Sequence, residues 1–549
     1  MFAICVALGI LPASAAPTLT IGQNFSATDN SATFATPPDC NGAVGPKHFV
    51  EFINGTFAVY NKTNHALIRN ISDKQFWANA HVTISSDADV TDPRIIYDPT
   101  VQRWFATQVD FNVNASDPTA FANNFLLAVS DGPEPTNTWH GVSFVADPNS
   151  GAFADFPTLG VDSNAVYISG DMFTNNVPEG ASLWSLPKAD LLVNTFPAII
   201  SNATFFGIMD YGVRGQVLQP ATCFDGSSSG AVLAVGNIGD DSDPHSNIVS
   251  FAVQASATAA ATLSDPVNIT VDPYEVPFNS DMGFPLLNVM QPDGTTTLEA
   301  NDARFAAKVY AVGGVLYAVH NTQLNNHVAI RWYRIKAADG TLLEQGTISD
   351  PKLDLFFPSI AANANGTVVI GCNASSIDTF VSVFAYAGQT VNGVTTFGDP
   401  VLVQSGAVSY HDVNEILAQL VDDPVTDSRW GDYSSISVDP ADPNRFWTIQ
   451  MYPSSEDPDT GAGIWSTQIT ELLVASAVPQ VPQLSAATSG TNLLISWPLS
   501  AAAFQLQSTT NLGSANSWVA VNQPLSTNGN VVSVLIPESG SQNFFRLKQ

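Results

Sequence analysis

Three of the ten arginines have an aspartate within three residues of them in the sequence. The arginines are Arg94, Arg304 and Arg429, and the aspartates are Asp92, Asp302 and Asp432. A guanidinium presents a planar fork of donors that holds a carboxylate through two parallel hydrogen bonds. Three such groups on one surface would bind an acidic ligand, and Tyr433, beside Asp432, would place a phenol on the same surface.

The same arginines also have a structural interpretation. Each could pair with its own aspartate, or with backbone carbonyls of a neighbouring element, and so hold the fold closed. We predict this outcome for at least two of the three, because every one has an acid nearby. Trp430, which follows Arg429, is a further candidate for ligand contact, since aromatic rings line sugar-binding faces as well as cores.

Each arginine–aspartate pair lies at the start of a strand–turn–strand repeat. These repeats are marked by polar and apolar residues that alternate with a period of two, by a turn rich in Asp, Pro and Asn, and by an aromatic or β-branched run. Seven copies cover residues 37–52, 91–107, 155–169, 219–235, 302–319, 357–371 and 429–452. Strand repeats without helical stretches between them are typical of radial β architectures. We therefore predict an all-β, seven-bladed β-propeller over residues 36–474, with six or eight blades as the alternatives.

The predicted ring would bring the arginines together. Innermost strands of a propeller line its channel, and their first residues face one rim. This constellation resembles the arginine cluster of sialidases, six-bladed propellers that use a Tyr nucleophile and an acid, and the resemblance implies Tyr433 as the nucleophile candidate. The Phe/Tyr-Arg-Ile-Pro motif of that family is missing. Its Ser-x-Asp-x-Gly-x-x-Trp repeat is present only in distorted form, at residues 130–132 with Trp139.

The charge balance excludes one class of partner. Lys and Arg total 18 against 49 Asp and Glu, a net charge of −31. Phosphate backbones need clustered cations, so we predict no nucleic-acid partner, and an anionic membrane surface is disfavoured for the same reason. Bound cations such as Ca²⁺ would fit this acidic protein.

One turn carries the front half of a calcium loop. Asp457 and Asp459, followed by Gly461, match Asp-x-Asp-x-Gly, but position twelve holds Gln468 in place of the usual Glu. We name Asp457 and Asp459 as candidate Ca²⁺ ligands, with a solvated acidic turn as the alternative. The eight His show no zinc-ligand spacing.

The remaining segments predict an exported protein. Residues 1–16 contain a ten-residue apolar run, too short to span a bilayer, and an Ala-Ser-Ala cleavage site, which together are typical of a signal peptide. No later stretch predicts a membrane span. Residues 17–35 are a leader or a ring-closing strand. Cys40, Cys223 and Cys372 then remain, and we expect buried free thiols.

A separate module follows a proline-rich linker at residues 475–483. Short alternating strands over residues 484–549 predict a small β-sandwich that resembles a fibronectin type III module. The stretches 508–512 and 542–547 resemble the C-terminal modules of secreted proteins from Verrucomicrobia and related bacteria. That resemblance implies an extracellular or cell-surface bacterial protein.

Two functional hypotheses follow. The first is a secreted, non-catalytic binding or scaffold protein for glycan or another extracellular polymer. The alternative is a sialidase-like glycoside hydrolase or lyase with an Arg/Asp/Tyr funnel site. Whether the protein is an enzyme stays open at this point, because propellers serve both purposes.

Overall fold

A computed structural model describes most of the chain. The described residues are 16–33, 35–239, 244–277, 289–294, 297–419, 427–475, 484–499, 504–511, 517–528, 531–537 and 543–548. They form two compact units, Ala16–Ala475 and a C-terminal unit described between residues 484 and 548. The predicted signal peptide, apart from Ala16, and the predicted linker, apart from Ala475, lie outside the described residues.

The larger unit is built almost entirely of β-strands, which begin with β1 (Thr18–Asp29). The first three sheets follow in chain order. Their strands are β2 (Asn41–Val44), β3 (His48–Ile53), β4 (Thr56–Asn61), β5 (Leu67–Ile71), β6 (Ala88–Asp98), β7 (Arg103–Asn112), β8 (Asn124–Ser130), β9 (Trp139–Val145), β10 (Phe153–Val161), β11 (Ala165–Thr174), β12 (Val177–Pro187) and β13 (Thr204–Met209). Each sheet has four antiparallel strands in sequence order.

The fourth and fifth sheets are connected through a short strand. The strands of this part of the chain are β14 (Gln216–Pro220), β15 (Thr222–Cys223), β16 (Ala231–Val235), β17 (His245–Gln254), β18 (Thr262–Leu263), β19 (Val267–Tyr274), β20 (Thr297–Leu298), β21 (Tyr310–Val312), β22 (Val315–Leu324), β23 (His327–Lys336) and β24 (Thr341–Ile348). The fourth sheet starts with β14, whereas β15 pairs in parallel with β21 of the fifth sheet.

The last two sheets complete the larger unit. Their strands, with the short β30 that pairs with β20, are β25 (Asp354–Ala362), β26 (Thr367–Ser376), β27 (Thr379–Val391), β28 (Val394–Phe397), β29 (Val401–Gln404), β30 (Asp427–Ser428), β31 (Ser435–Val438), β32 (Arg445–Glu456) and β33 (Gly463–Ala475). The seventh sheet has the order β31-β32-β33-β1, so the N-terminal strand forms its outer edge.

The helices of this unit are short. They are α1 (Asn30–Thr33), α2 (Asp73–Asn79), α3 (Lys188–Leu191), α4 (Tyr211–Arg214), α5 (Val413–Gln419) and a 3₁₀ turn at Pro118–Ala120. No helix among the described residues is long and apolar enough to cross a membrane.

The sheets are arranged as a ring, which is the β-propeller arrangement. Strand β6 packs against β2 and β10, β10 packs against β14, and β25 packs against β31. The contact between β2 and β31 joins the first sheet to the seventh. Strands β2 and β25 are buried along their whole length because neighbouring sheets cover both of their faces. Cys40, Cys223 and Cys372 are free thiols in this core, as predicted.

A backbone feature repeats in or before an inner strand of each of the seven large sheets of the larger unit. One residue there has a positive φ, and the seven are Asp39 (52°), Asp92 (61°), Phe156 (48°), Val217 (54°), Asn301 (61°), Phe357 (46°) and Asp432 (79°). Such angles are uncommon for residues other than glycine. Four of them fall within register shifts between the first two strands of their sheets. These four bulges re-aim the side chains beside them toward one end of the channel.

The positive-φ positions correct the expectation that the three arginines begin their strands at equivalent places. Arg94 lies two residues after the positive-φ position of its sheet, Arg304 lies three after, and Arg429 lies three before. The three arginines therefore do not hold equivalent places, and Arg304 and Arg429 lie in irregular segments that precede their strands.

The C-terminal unit has two antiparallel sheets. Its strands are β34 (Ser485–Ser489), β35 (Asn492–Pro498), β36 (Gln505–Thr509), β37 (Val519–Ala520), β38 (Leu525–Asn528), β39 (Val531–Pro537) and β40 (Phe544–Lys548). One sheet has the order β34-β35-β39-β38 and the other β37-β36-β40. Trp497, Leu506 and Val534 belong to one shared core, so the two sheets pack face to face.

Candidate functional site

Ionisable side chains gather where the inner strands begin. We call the carboxyl-bearing part of this surface the acidic rim, and its members are Asp39, Asp92, Asp155, Asp171, Glu299, Asp302 and Asp432. Three of them, Asp39, Asp92 and Asp432, occupy the repeated positive-φ position of their sheets. The seven carboxyls share this surface with the guanidiniums of Arg304 and Arg429, which leaves an excess of acids.

Two of the arginines are held by acids of their own segments. Arg304 donates from Nε to Asp302 Oδ1 at 2.8 Å and from Nη2 to Oδ2 at 2.7 Å. Arg429 donates to both oxygens of Asp432 at 2.7 Å, and its Nη1 also reaches Glu299 Oε2 at 3.0 Å. Both forks are occupied by carboxylates. These two arginines pair as predicted, which leaves neither fork open to a ligand carboxylate.

Arg94 crosses the channel below the rim. Its Nε donates to the carbonyl oxygen of Pro157 at 2.8 Å, and its Nη1 donates to that of Ala306 at 3.0 Å. Its guanidinium carbon lies 3.3 Å from the centre of the Tyr433 ring and 4.9 Å from that of Phe156. The side chain is 5% exposed. Arg94 of β6 therefore contacts β10 and the segments that precede β21 and β31, which belong to the third, fifth and seventh sheets.

These residues fill the middle of the channel. Phe156, Val217, Ala306 and Tyr433 form one buried cluster, and together with Arg94 we call it the plug. Among the described residues, no carboxylate lies within ion-pairing distance of Arg94. Asp92, its sequence neighbour, is therefore not its partner. Backbone carbonyls accept from Nε and Nη1 instead, Nη2 makes no hydrogen bond with the protein, and the aromatic faces add a cation–π attraction that is strong because water is excluded.

Tyr433 does not have the environment of a nucleophile. It is buried, and its hydroxyl donates to the carbonyl oxygen of Pro93 at 3.2 Å. Burial raises the pKa of Tyr433 well above its usual value, although Arg94 opposes this shift. A phenol that keeps its proton and has no exposed oxygen cannot attack a sugar carbon. The role implied by the sialidase resemblance is therefore corrected to a structural one.

Trp430 is also a core residue. It is fully buried, and its Nε1 donates to Asn373 Oδ1 at 3.2 Å. Its ring meets Tyr410 edge to face at 4.9 Å. The positive φ angles of Gly431 and Asp432 turn the chain here, which directs Asp432 to the rim and Trp430 between the sheets. We therefore remove Trp430 from the candidate ligand contacts.

Asp39 and Asp92 form a hydrogen-bonded carboxyl pair. Burial, followed by the charges of Asp432 and Asp92, raises the pKa of Asp39 well above its usual value. Burial and Asp432 also raise the pKa of Asp92. Asp39 Oδ2 accepts from Asn54 at 2.9 Å, whereas Oδ1 accepts no hydrogen bond from the protein. Both shifts favour the protonated form of these carboxyls, because burial and neighbouring negative charge disfavour the ionised form.

Two further carboxyls titrate near neutrality. Burial and the charge of Asp92 raise the pKa of Asp155 to about 7. Burial raises the pKa of Asp171 to about 6, and Asp171 accepts a hydrogen bond from Tyr211. The two residues are direct partners across β10 and β11, so their side chains share one face of the sheet. Such groups can donate or accept a hydrogen bond, and a carboxyl of raised pKa can serve as a general acid.

In the predicted calcium turn, the carboxylate of Asp457 accepts hydrogen bonds from the turn itself. Asp457 Oδ1 accepts from the backbone N–H groups of Asp459 and Thr460, both at 2.9 Å, and from the Thr460 hydroxyl at 3.0 Å. Gln468 is buried in β33 and bonds Asn24. No group of three or more His, Cys, Asp or Glu suited to a metal is found in the described part of the chain. The turn is therefore a hairpin connection stabilised by its own Asp.

Sequence analysis missed four members of the rim, namely Asp39, Asp155, Asp171 and Glu299. A signal for the first was present, because Asp39 and Asp92 both lie next to a proline at the opening of a repeat. Aligning the repeats on the aspartate beside the proline would have placed Asp39 at the position of Asp92. Asp171 lies on a second strand, far from any repeat opening, and only strand pairing brings it to Asp155.

No protein-family model matches the chain, and no curated protein sequence matches it. The solved structures that are similar to this chain include the following three, all at low identity. A Trypanosoma rangeli sialidase in complex with sialic acid is 12% identical with a TM-score of 0.30, over 88% of this chain and 57% of the sialidase. A Hadza microbial sialidase is 10% identical with a TM-score of 0.35, over 81% of this chain and 66% of that one.

A Dyadobacter fermentans protein of unknown function is 11% identical with a TM-score of 0.32, over 83% of this chain and 96% of that protein. This chain thus spans 57% of the length of the Trypanosoma rangeli sialidase. At these scores the similarity carries no information about activity. The function has to be inferred from the site itself.

Proposed function

We propose that the larger unit is a seven-bladed β-propeller that binds a glycan or another extracellular polymer without catalysis. The repetition of one positive-φ residue in or before an inner strand of each of seven sheets, four of them in β-bulges, supports the blade count. The chemistry of the acidic rim supports the choice of ligand. The predicted signal peptide and the C-terminal sandwich, which we propose to be fibronectin type III-like, support an extracellular location.

The occupied guanidinium forks carry this proposal. Arg304 and Arg429 each hold a carboxylate of the protein through two short hydrogen bonds. An acidic sugar would have to displace those carboxylates and leave them uncompensated among other acids. The groups left to a ligand are carboxyls, which accept hydrogen bonds from hydroxyl groups. A neutral, polyhydroxylated ligand therefore fits better than a sialylated one.

Part of the rim is open to solvent. The side chain of Arg429 is 36% exposed and that of Glu299 is 26% exposed, and Asp155 is partly exposed. The buried members Asp39 and Asp92 lie behind them and keep the polar array in place. A glycan would contact the exposed groups, and the protonated fraction of Asp155 would donate to a ring or hydroxyl oxygen.

One observation favours hydrolysis as a second candidate function. The pKa of Asp155 is raised to about 7, so a large fraction of this carboxyl is protonated near neutral pH, as a general acid must be, and Asp155 shares one face of the β10–β11 strand pair with Asp171. Glycoside hydrolysis uses two carboxyl groups on opposite sides of the scissile bond. A hydrolase of this kind would use a carboxylate and not Tyr433 as its second group.

The full chain, immobilised and screened against neutral and sialylated glycans with analysis of released sugars, tests both functions. We expect retention of neutral glycans, no new reducing ends, and weaker binding by Asp155→Asn. Asp459→Asn, in an exposed turn, is the matched control and should bind as the unaltered protein does. Binding confined to sialylated glycans would contradict the proposal, and release of reducing sugar that Asp155→Asn abolishes would establish the hydrolase instead.

A further inference from the structure

A cavity of about 330 Å³ lies at the end of the channel where the inner strands finish. Its lining includes Val44 at the end of β2, Tyr97 near the end of β6 and Val438 at the end of β31. The acidic rim lies where those same strands begin. On β6, Arg94 of the plug lies between Asp92 of the rim and Tyr97 of the cavity, and Tyr433 of the plug lies between Asp432 and Val438, so the cavity is separate from the rim.

The cavity contains a lysine without a protein counter-ion. Lys308 Nζ lies 3.1 Å from the Ser437 hydroxyl, and within the described residues no carboxylate lies at ion-pairing distance from it. The carboxylate of the cavity wall, Asp439, is already bound by Lys62 Nζ at 2.8 Å to each oxygen and by Trp447 Nε1 at 3.1 Å. In a chain with 49 acidic and 18 basic residues, a lysine left without an acid is unexpected.

A second observation points to a missing partner at this place. Thr222 lines the same cavity and is only 2% exposed. Its Oγ1 makes no hydrogen bond within the protein. A buried hydroxyl without a partner costs free energy, so native structures normally satisfy it through protein, water or ligand. Thr222 and Ser437 belong to different strands of the cavity wall, β15 and β31, and each carries a hydroxyl that can donate a hydrogen bond.

The electrostatics favour an anion. Burial, and next the charge of Arg94 in the plug, lower the pKa of Lys308 to about 7. Burial raises the pKa of Tyr97 to about 12 and also raises that of Tyr310, so both phenols stay neutral. Asp439 is neutralised by Lys62. Lys308 is therefore the one wall group, among the described residues, whose charge a ligand anion would stabilise.

We propose that this cavity binds a small molecule bearing a carboxylate, with the Lys308 ammonium as its counter-ion and the Ser437 and Thr222 hydroxyls as donors. Apolar walls from Ile96, Pro99 and Phe224 would cover the rest of the molecule. The site is independent of the acidic rim and of the glycan proposal. Binding would return a full positive charge to Lys308, so it would be coupled to proton uptake above neutral pH.

Isothermal titration calorimetry of the full chain with benzoate tests the site. Benzoate has one carboxylate and a ring of suitable size, and benzamide is its neutral analogue. We expect saturable benzoate binding at least tenfold tighter than benzamide binding. If only the ammonium form binds, the affinity falls about tenfold between pH 6 and pH 8, because a lysine with a pKa of about 7 loses most of its charge over that interval.

Matched variants identify the residue. Lys308→Met should lose at least tenfold in benzoate affinity together with the pH dependence, whereas Lys336→Met, an exposed lysine paired with Asp339, should bind benzoate as the unaltered protein does. Thr222→Val keeps the shape of the side chain but removes its hydroxyl, and it should weaken benzoate binding severalfold. This variant tests the site even if Lys308→Met does not fold. Equal affinity for benzoate and benzamide, pH-independent binding, or no saturation by 10 mM benzoate would overturn the proposal.

Discussion

Replacing Arg94 by Met tests whether the plug holds the ring together. Methionine keeps much of the length and bulk of the side chain but removes the guanidinium. The carbonyls of Pro157 and Ala306 then lose a charged donor, each bond being worth about 1.5–3 kcal/mol. The stack on Tyr433, at 3.3 Å, contributes about 2 kcal/mol more in a site without water.

An opposing term reduces this loss. Arg94 is buried without a carboxylate among the described residues, and removing a buried charge regains several kcal/mol of desolvation free energy. The net expectation is a destabilisation of about 2–4 kcal/mol. A unit of about 460 residues has an unfolding entropy near 1 kcal/mol per kelvin, so the Tm should fall by about 2–4 °C.

Differential scanning calorimetry of the full chain at a fixed scan rate measures this shift. Arg445→Met is the control, because that side chain is 46% exposed and its ion pairs with Asp442 and Glu471 are partly screened by solvent. We expect the control to lower the Tm by less than about 1 °C, in line with the small contribution of exposed pairs. An Arg94→Met protein whose Tm matches that of the control would refute the role of Arg94 in ring closure.

Three other perturbations have defined outcomes. The pKa of Asp171 is raised to about 6, so its contribution to stability is present in full below pH 4 and is lost as the pH rises through 6. In urea titrations, the change in unfolding free energy caused by Asp171→Asn should therefore be about 3 kcal/mol more favourable at pH 8 than at pH 3.5. Equal changes at both pH values would contradict the raised pKa of Asp171. The Tm of the unaltered protein and that of Asp457→Ala should each be the same in Ca²⁺ as in EDTA. A Tm that rises with Ca²⁺ in the unaltered protein but not in Asp457→Ala would support the calcium site. Deleting residues 16–29 removes β1 from the edge of β33 and should lower the Tm and accelerate proteolysis; an unchanged Tm would show that the ring closes without it.

The sequence by itself determined the β class, the repeated strand openings and the partners of two arginines. Arg304 is two residues from Asp302, and Arg429 is three residues from Asp432, so each pair forms within one short segment whatever the ring does. Free buried thiols could be predicted as well, because Cys40 and Cys223 fall in repeat openings. These features depend on local spacing, which a single sequence shows directly.

Only the tertiary structure decided the position of Arg94 and the composition of the rim. The carbonyls that Arg94 binds are 63 and 212 residues away in the chain, and Tyr433 is bonded to a carbonyl 340 residues away. Ring closure makes these distant segments neighbours across a narrow channel. The positive-φ bulges then decide which side chains face the rim, and they turned Asp432 outward while Trp430 entered the core. Backbone conformations of this kind arise where packing of several sheets outweighs local preference, so residue types alone do not reveal them.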